Sequence, residues 1–227
     1  MKKAVKEAFS EWTRGSEPVV VPVEPESKKS VYLVDRPGSQ QSTLYIGLPV
    51  IDPSHKDWIP LQVMDALLGG AFTSRITSNI REDKGYTYSP YSQVSSRYRD
   101  AYWLQFASVG NAVTAPAVKE ILYEIDRLRE EAPTAEELKG VQNYLAGVFV
   151  LQNSTRSGIA GILGFKDFQG LDESYLTSYV QNVHALTPED IRKMARTYLI
   201  PENLTIVIVG DASQIKDSLK VFGEIFE

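Results

Sequence analysis

The chain has 227 residues, 43% hydrophobic and 23% charged, with 24 Lys+Arg against 29 Asp+Glu for a net charge of −5. That balance is globular and excludes a disordered tail, a coiled coil and collagen; the acidic net charge and scattered basic residues argue against a nucleic-acid partner. With no cysteine there is no disulfide, no Cys-type zinc site and no thiol nucleophile, and no apolar run approaches the ~20 residues that span a bilayer.

Val5, Ala8, Phe9 and Trp12 recur at helical spacing until Arg14-Gly15-Ser16, which predicts a terminal helix over 1–14. The charged start leaves no apolar core for a signal peptide, and the composition suits cytoplasm and periplasm alike. Pro18, Pro22 and Pro25 then punctuate a valine-rich stretch, favouring an extended linker over 15–30. A lone helix and a stiff strap read as the tail of a preceding domain and a connector, with 31–227 as the domain proper; the alternative is an ordinary N-terminal helix packed on its own domain.

Residues 31–35 and 43–49 alternate as strands around Pro37-Gly38 and are expected to pair as a hairpin. Leu61, Met64, Leu67 and Leu68 form the stripe of a helix over 59–68, closed by Gly69-Gly70. A short helix over 74–83 carries Ile76 and Ile80 and ends near Gly85. Residues 86–110 are strand-rich, with a turn at Arg99-Asp100. Beyond them the pattern is helical. Thr114 caps a helix with Val118, Ile121, Ile125 and Leu128 on one face, and Thr134 with Glu137 makes a capping box that opens a helix to Gln152. Shorter helices follow over 157–168, 173–183 and 188–198, the last capped by Thr187. An apolar strand over 204–209 and a final helix over 212–222 complete the chain. Strands and helices are partly segregated, which predicts an α+β fold: a mostly antiparallel sheet with helices packed on one face.

Chemistry is constrained by the histidines. His55 and His184 are the two in the chain, and neither has another His or Glu at metal-ligand spacing. Each is expected to be a surface or hydrogen-bonded side chain. Nucleophile-elbow and phosphate-cradling motifs are absent, so no metal site, no cofactor and no enzyme activity of its own are predicted. An independent hydrolase would have to rest on one of those two imidazoles.

The informative stretch runs Leu67-Leu68-Gly69-Gly70-Ala71-Phe72-Thr73-Ser74-Arg75-Ile76, then Arg81-Glu82-Asp83-Lys84-Gly85-Tyr86-Thr87-Tyr88-Ser89. Together with the Pro133-Thr134-Ala135-Glu136-Glu137-Leu138 helix start and the terminal Asn203-Leu204-Thr205-Ile206-Val207-Ile208-Val209-Gly210-Asp211 strand, it resembles the second half of the pitrilysin/insulinase family of zinc metallopeptidases, which includes the mitochondrial processing peptidases. The resemblance implies paired homologous halves around a chamber. One half holds zinc through H-x-x-E-H, and the other supplies an Arg and a Tyr seven residues apart. H-x-x-E-H is absent here, while Arg81 and Tyr88 keep the second pattern. The chain therefore looks like the non-catalytic half, with zinc in a homologous partner domain or subunit and an extended peptide as substrate.

The residues support that role physically. Gly85 can end the helix in the left-handed conformation, and Tyr88 is expected to open the next strand, so both side chains can emerge at one corner. A guanidinium can donate to a substrate carbonyl, and a phenol can donate to an oxyanion. Gly69 and Gly70 can admit close backbone approach by a substrate or simply cap the helix. Arg75 is a further candidate substrate contact. Tyr86, Tyr91, Tyr98, Tyr102 and Trp103 read as packing. The competing function is a purely structural subunit like the core proteins of respiratory complexes.

Overall fold

Period-two alternation of apolar residues builds one sheet. The computed structural model describes residues 1–17, 19, 21, 25 and 28–226, and the strands among them are β1 (Ser30–Asp35), β2 (Gln41–Val50), β3 (Tyr91–Arg97), β4 (Asp100–Gly110), β5 (Thr205–Gly210) and β6 (Ile225–Phe226). Their spatial order is β3-β4-β2-β5-β1-β6. The pairs β3–β4, β4–β2 and β2–β5 are antiparallel, while β1 runs parallel to β5 and β6. The sheet is mostly antiparallel, as expected.

The expected hairpin of the first two strands does not form. β5 inserts between them, with Ile208 opposite Leu33 on one side and Leu44 on the other. An apolar strand with ladder partners on both edges satisfies its backbone donors and acceptors inside the sheet, where an edge position would leave one row unpaired.

Helices α1 (Lys2–Ala8), α2 (Trp58–Asp65), α3 (Arg75–Thr77), α4 (Thr114–Glu130) and α5 (Ala135–Gln152) precede α6 (Arg156–Gln169), α7 (Ser174–Thr177), α8 (Tyr179–Ala185), α9 (Pro188–Tyr198) and α10 (Ala212–Leu219). Leu44, Ile46, Trp103, Val109, Ile206 and Ile208 lie fully buried on one sheet face, in one core with Leu61 and Met64 of α2, Ile121 and Ile125 of α4 and Ile191 of α9. The other face is more open: the rings of Tyr91, Phe106 and Tyr45 run in a chain at 5.0 and 5.4 Å, and Tyr32 meets Phe226 at 5.5 Å.

The capping box of Thr134 with Glu137 forms, and Thr187, expected as a cap, does cap its helix and makes a second box with Asp190. Thr114 does not cap: it is buried inside the first turn of α4 and donates its hydroxyl to Ser42 Oγ at 2.9 Å, the chain entering through a tight turn over Asn111–Val113. The helix expected over 173–183 is split at Ser178 into α7 and α8. Helix α1 ends at Ala8, short of the expected 14, and buries none of its residues. Pro18, Val20, Pro22 and Val23 of the expected linker lie outside the described residues.

One polar link crosses the core. Asp65, the last residue of α2, is buried, and among the described residues no cation pairs with it. Its Oδ1 accepts from Ser92 Oγ on β3 and from Trp103 Nε1 on β4, the latter at 2.8 Å. Burial drives its pKa from 3.8 to about 6, although both hydrogen bonds pull downward. The folded chain thus binds a proton that the unfolded chain releases earlier. Stability from this group falls as pH rises from about 4 to 6, and the penalty is complete above that window.

Two outcomes follow for unfolding in urea. Leu44→Ala, at a site with no exposed surface, should cost about 2–5 kcal/mol, whereas Val34→Ala on the open face should cost under about 1 kcal/mol. Between pH 5 and pH 7.5 Asp65 should cost the chain about 1–2 kcal/mol, a loss that Asp65→Asn does not show; equal pH slopes in the two proteins would contradict the assignment.

Candidate functional site

Two helix ends shape a cleft. α2 runs on into a wide turn over Ala66–Gly70, where the Ala71 N–H donates to the Ala66 carbonyl at 2.9 Å, five residues back. α3 does the same over Ser78–Asp83, closing with Lys84 N–H to the Asn79 carbonyl at 3.0 Å. Such π-type widenings cost hydrogen-bond regularity and recur at functional sites. Gly85, with φ +66°, ends the second one in the left-handed conformation, as the sequence suggested.

Gly69 and Gly70 are not left-handed caps; Ala71 leaves the turn extended at φ −91°. What they supply is closeness. A Cβ on Gly69 would stand 2.5 Å from Gln105 Oε1 and 2.6 Å from Ser92 Oγ, and one on Gly70 would stand 3.0 Å from Asp65 Oδ2. The turn therefore lies directly on β3, β4 and the buried carboxylate.

Above this floor is a cleft of 230 Å³ lined by Gly69, Gly70, Phe72, Arg81, Tyr88 and Pro90, among others. Four of the five residues singled out in the sequence meet there. The guanidinium carbon of Arg81 lies 4.3 Å from the centre of the Phe72 ring and 5.4 Å from that of Tyr88. Both rings lie within cation–π range of the guanidinium, whose N–H groups remain the donors. Arg81 Nε also approaches Glu82 Oε1 at 3.4 Å, which leaves the terminal nitrogens as the donors toward a ligand. Tyr88 is 83% exposed. It sits in the bend before β3 and does not open the strand as expected, since Thr87 already ties the segment sideways, donating its hydroxyl to the Ser108 carbonyl of β4 at 2.8 Å.

Arg75 is placed elsewhere. It is buried, outside the cleft's lining, with Nε and Nη2 donating to the two oxygens of Glu137 at 2.6 and 3.1 Å. Burial works to raise the Glu137 pKa, but the bonds and charge of Arg75 hold it below the ordinary value. This pair fastens α3 to the N-terminus of α5. Two residues of the site were not read from the sequence. Phe72 follows the glycines with no partner in any periodic stripe, and Asp65 looked like one polar position of a helix.

His55 accepts the Asp57 N–H at Nδ1 (3.1 Å) beside the Tyr198 ring, and His184 is exposed in the last turn of α8. Among the described residues no three His, Asp or Glu side chains gather in metal-binding geometry. The donor set of the described residues does not fit zinc.

Comparison with known proteins places this architecture. Residues 1–145 match the family model described as the peptidase M16 inactive domain. An uncharacterized zinc protease of Bacillus subtilis (strain 168), YmxG, is 24% identical over 178 residues, which are 78% of this chain and 43% of that protein. The structure of a peptidase M16 inactive domain from Pseudomonas fluorescens superposes with a TM-score of 0.78 at 24% identity, over 86% of this chain and 47% of that one. A chain of complex III2 from Candida albicans gives a TM-score of 0.80 at 12% identity, over 99% of this chain and 55% of that one. At these identities the solved structures show a shared fold. The chain spans less than half the length of the curated relative. With the family model covering more than half of its residues, the chain belongs to the peptidase M16 family, as its inactive, C-terminal type of domain.

Proposed function

We propose that this domain is the non-catalytic half of a composite zinc metallopeptidase. Its partner is a homologous zinc-bearing domain or subunit of the H-x-x-E-H type, and its substrate is an extended peptide. One observation carries the reading: Arg81 and Tyr88, seven residues apart in sequence, reach one cleft whose floor has no side chains.

The other half would hold the zinc, which when bound would activate a water and polarise the scissile carbonyl. This chain's residues bind and orient. The terminal N–H groups of Arg81, beside the Phe72 and Tyr88 rings, donate to a substrate carbonyl. The Tyr88 phenol O–H, free in solvent, donates to the oxyanion that develops on the attacked carbonyl. Gly69 and Gly70 form the backbone floor beneath the peptide, their missing side chains letting that floor rest on β3 and β4. Arg75 acts at a distance, fixing the helix that leads to Arg81. On the same reading, α1 is the tail of a preceding domain, residues 15–30 are a connector, and 31–227 are the domain. The apolar Val5, Phe9 and Trp12, all exposed here, then have a surface to cover outside this chain.

The second reading is a purely structural subunit, favoured by the likeness to a chain of complex III2 over 99% of the present chain. The Arg81–Tyr88 cleft separates the two, because a scaffold has no use for an exposed phenol beside a ring-stacked guanidinium.

In the assembled zinc-loaded protein, measured with an internally quenched peptide, Arg81→Ala should lower kcat/KM about 10–100-fold, as loss of a charged hydrogen bond does. Tyr88→Phe should lower kcat by about 10²-fold with little change in KM, the signature of a donor used in the transition state. Co-purification with the zinc-bearing half should be unchanged in both. Full activity in both variants would select the structural reading.

A further inference from the structure

We propose that the helical layer carries a second site, a cavity that binds a neutral, planar, fused-ring aromatic molecule bearing a carbonyl group. It shares no lining residue with the Arg81 cleft and does not depend on the peptidase reading.

The cavity lies between α2, α5, α6, α7 and α8, and its 390 Å³ falls within the range of small-molecule sites. Four rings wall it. Phe149 and Tyr179 stack at 4.2 Å with planes 15° apart, while Phe165 and Tyr179 each stand 6.1 Å from Tyr175. Such faces and edges suit a flat aromatic guest. Glycines on α6 keep the space open. A Cβ on Gly158 would stand 1.7 Å from the Gln152 carbonyl oxygen, so α6 is seated directly on the end of α5, whereas a Cβ on Gly161 would meet nothing within 4 Å. The core hardly uses this helix, since Gln169 is its one buried residue.

The polar groups select the guest. The Gln62 side chain makes no hydrogen bond among the described residues, and its Oε1 is sealed from solvent, so its N–H groups are the end left to a ligand. Buried polar atoms without partners are rare enough to call for an explanation. Burial pushes the Tyr179 phenol up to about 12 and raises that of Tyr175, so both remain O–H donors at neutral pH. Donors on this wall ask for an acceptor, which a ring carbonyl supplies. None of the residues lining the cavity is charged. A carboxylate or ammonium would lose its water there without a counter-charge, which excludes acidic and cationic guests.

The test is a titration of the full chain, followed by the backbone amide resonances, with chromone, with chromene (the same rings without the carbonyl) and with chromone carboxylate. Chromone should bind with a Kd below about 1 mM, in reach of a small aromatic fragment, and shift resonances of α5 to α8 but not those of Gly69 to Tyr88. Chromene and the carboxylate should bind more weakly. Gln62→Leu, which keeps the volume and removes the donor, should weaken chromone about 3–10-fold, the range for one neutral hydrogen bond, and leave chromene unchanged. Gly161→Leu, which fills the open space from an exposed helix face, should abolish binding of both. The proposal is overturned if chromone causes no shift, if chromene or the carboxylate binds as tightly, or if Gly161→Leu still binds. Loss of chromone binding on adding the zinc-bearing half would overturn it too, since the cavity would then receive a side chain of that partner. None of these outcomes bears on Arg81 and Tyr88.

Discussion

Two missing side chains make the cleft possible. At Gly69 and Gly70 the backbone of a widened helix end comes so near Ser92, Gln105 and Asp65 that a Cβ on Gly69 would collide with Ser92 and Gln105 and one on Gly70 would crowd Asp65. Any larger residue would lift this turn off the sheet, and Phe72 and the approach to Arg81 would move with it. The link is reinforced by chemistry. Asp65 sits four residues before Gly69 and hydrogen-bonds Ser92, which lies four residues after Tyr88, so one buried carboxylate ties floor and wall to the same point. The chain accepts the cost of desolvating that carboxylate, visible in its raised pKa, in return for a fixed geometry.

The Arg81 side chain shows how a surface cation is made specific. An isolated exposed arginine samples many rotamers and binds weakly. Here two rings restrict it and Glu82 engages one nitrogen, leaving a defined edge facing the cleft. Arg75, six residues earlier, lies in the opposite environment, buried against a bidentate carboxylate. Two arginines of similar sequence context thus serve different ends, one holding the scaffold and the other presented for binding.

Much of this was legible in the sequence because the signals are local. The Thr134–Glu137 box, the Thr187 cap, the left-handed Gly85 and the spacing of Arg81 and Tyr88 are each set within eight residues. What was missed depends on contacts far along the chain. Nothing near residues 31–49 reveals that a strand from residues 205–210 will separate β1 from β2, and the turn at Pro37-Gly38 imitates a hairpin. Thr114 looks like a cap until Ser42, 72 residues away, takes its hydroxyl. Arg75 reads as a substrate contact until Glu137 reaches it. Phe72 carries no periodic signature because it belongs to no element, and its meaning comes from the guanidinium beside it.

The late arrival of β5 shapes how the protein comes into being. A ribosome releases β1 and β2 long before the strand that joins them, so their inner edges stay unzipped while more than 150 further residues are made. Closing so long a loop is entropically slow, and high contact order retards folding. During synthesis the half-built sheet presents naked edges to whatever is nearby, the state in which nascent chains need chaperones.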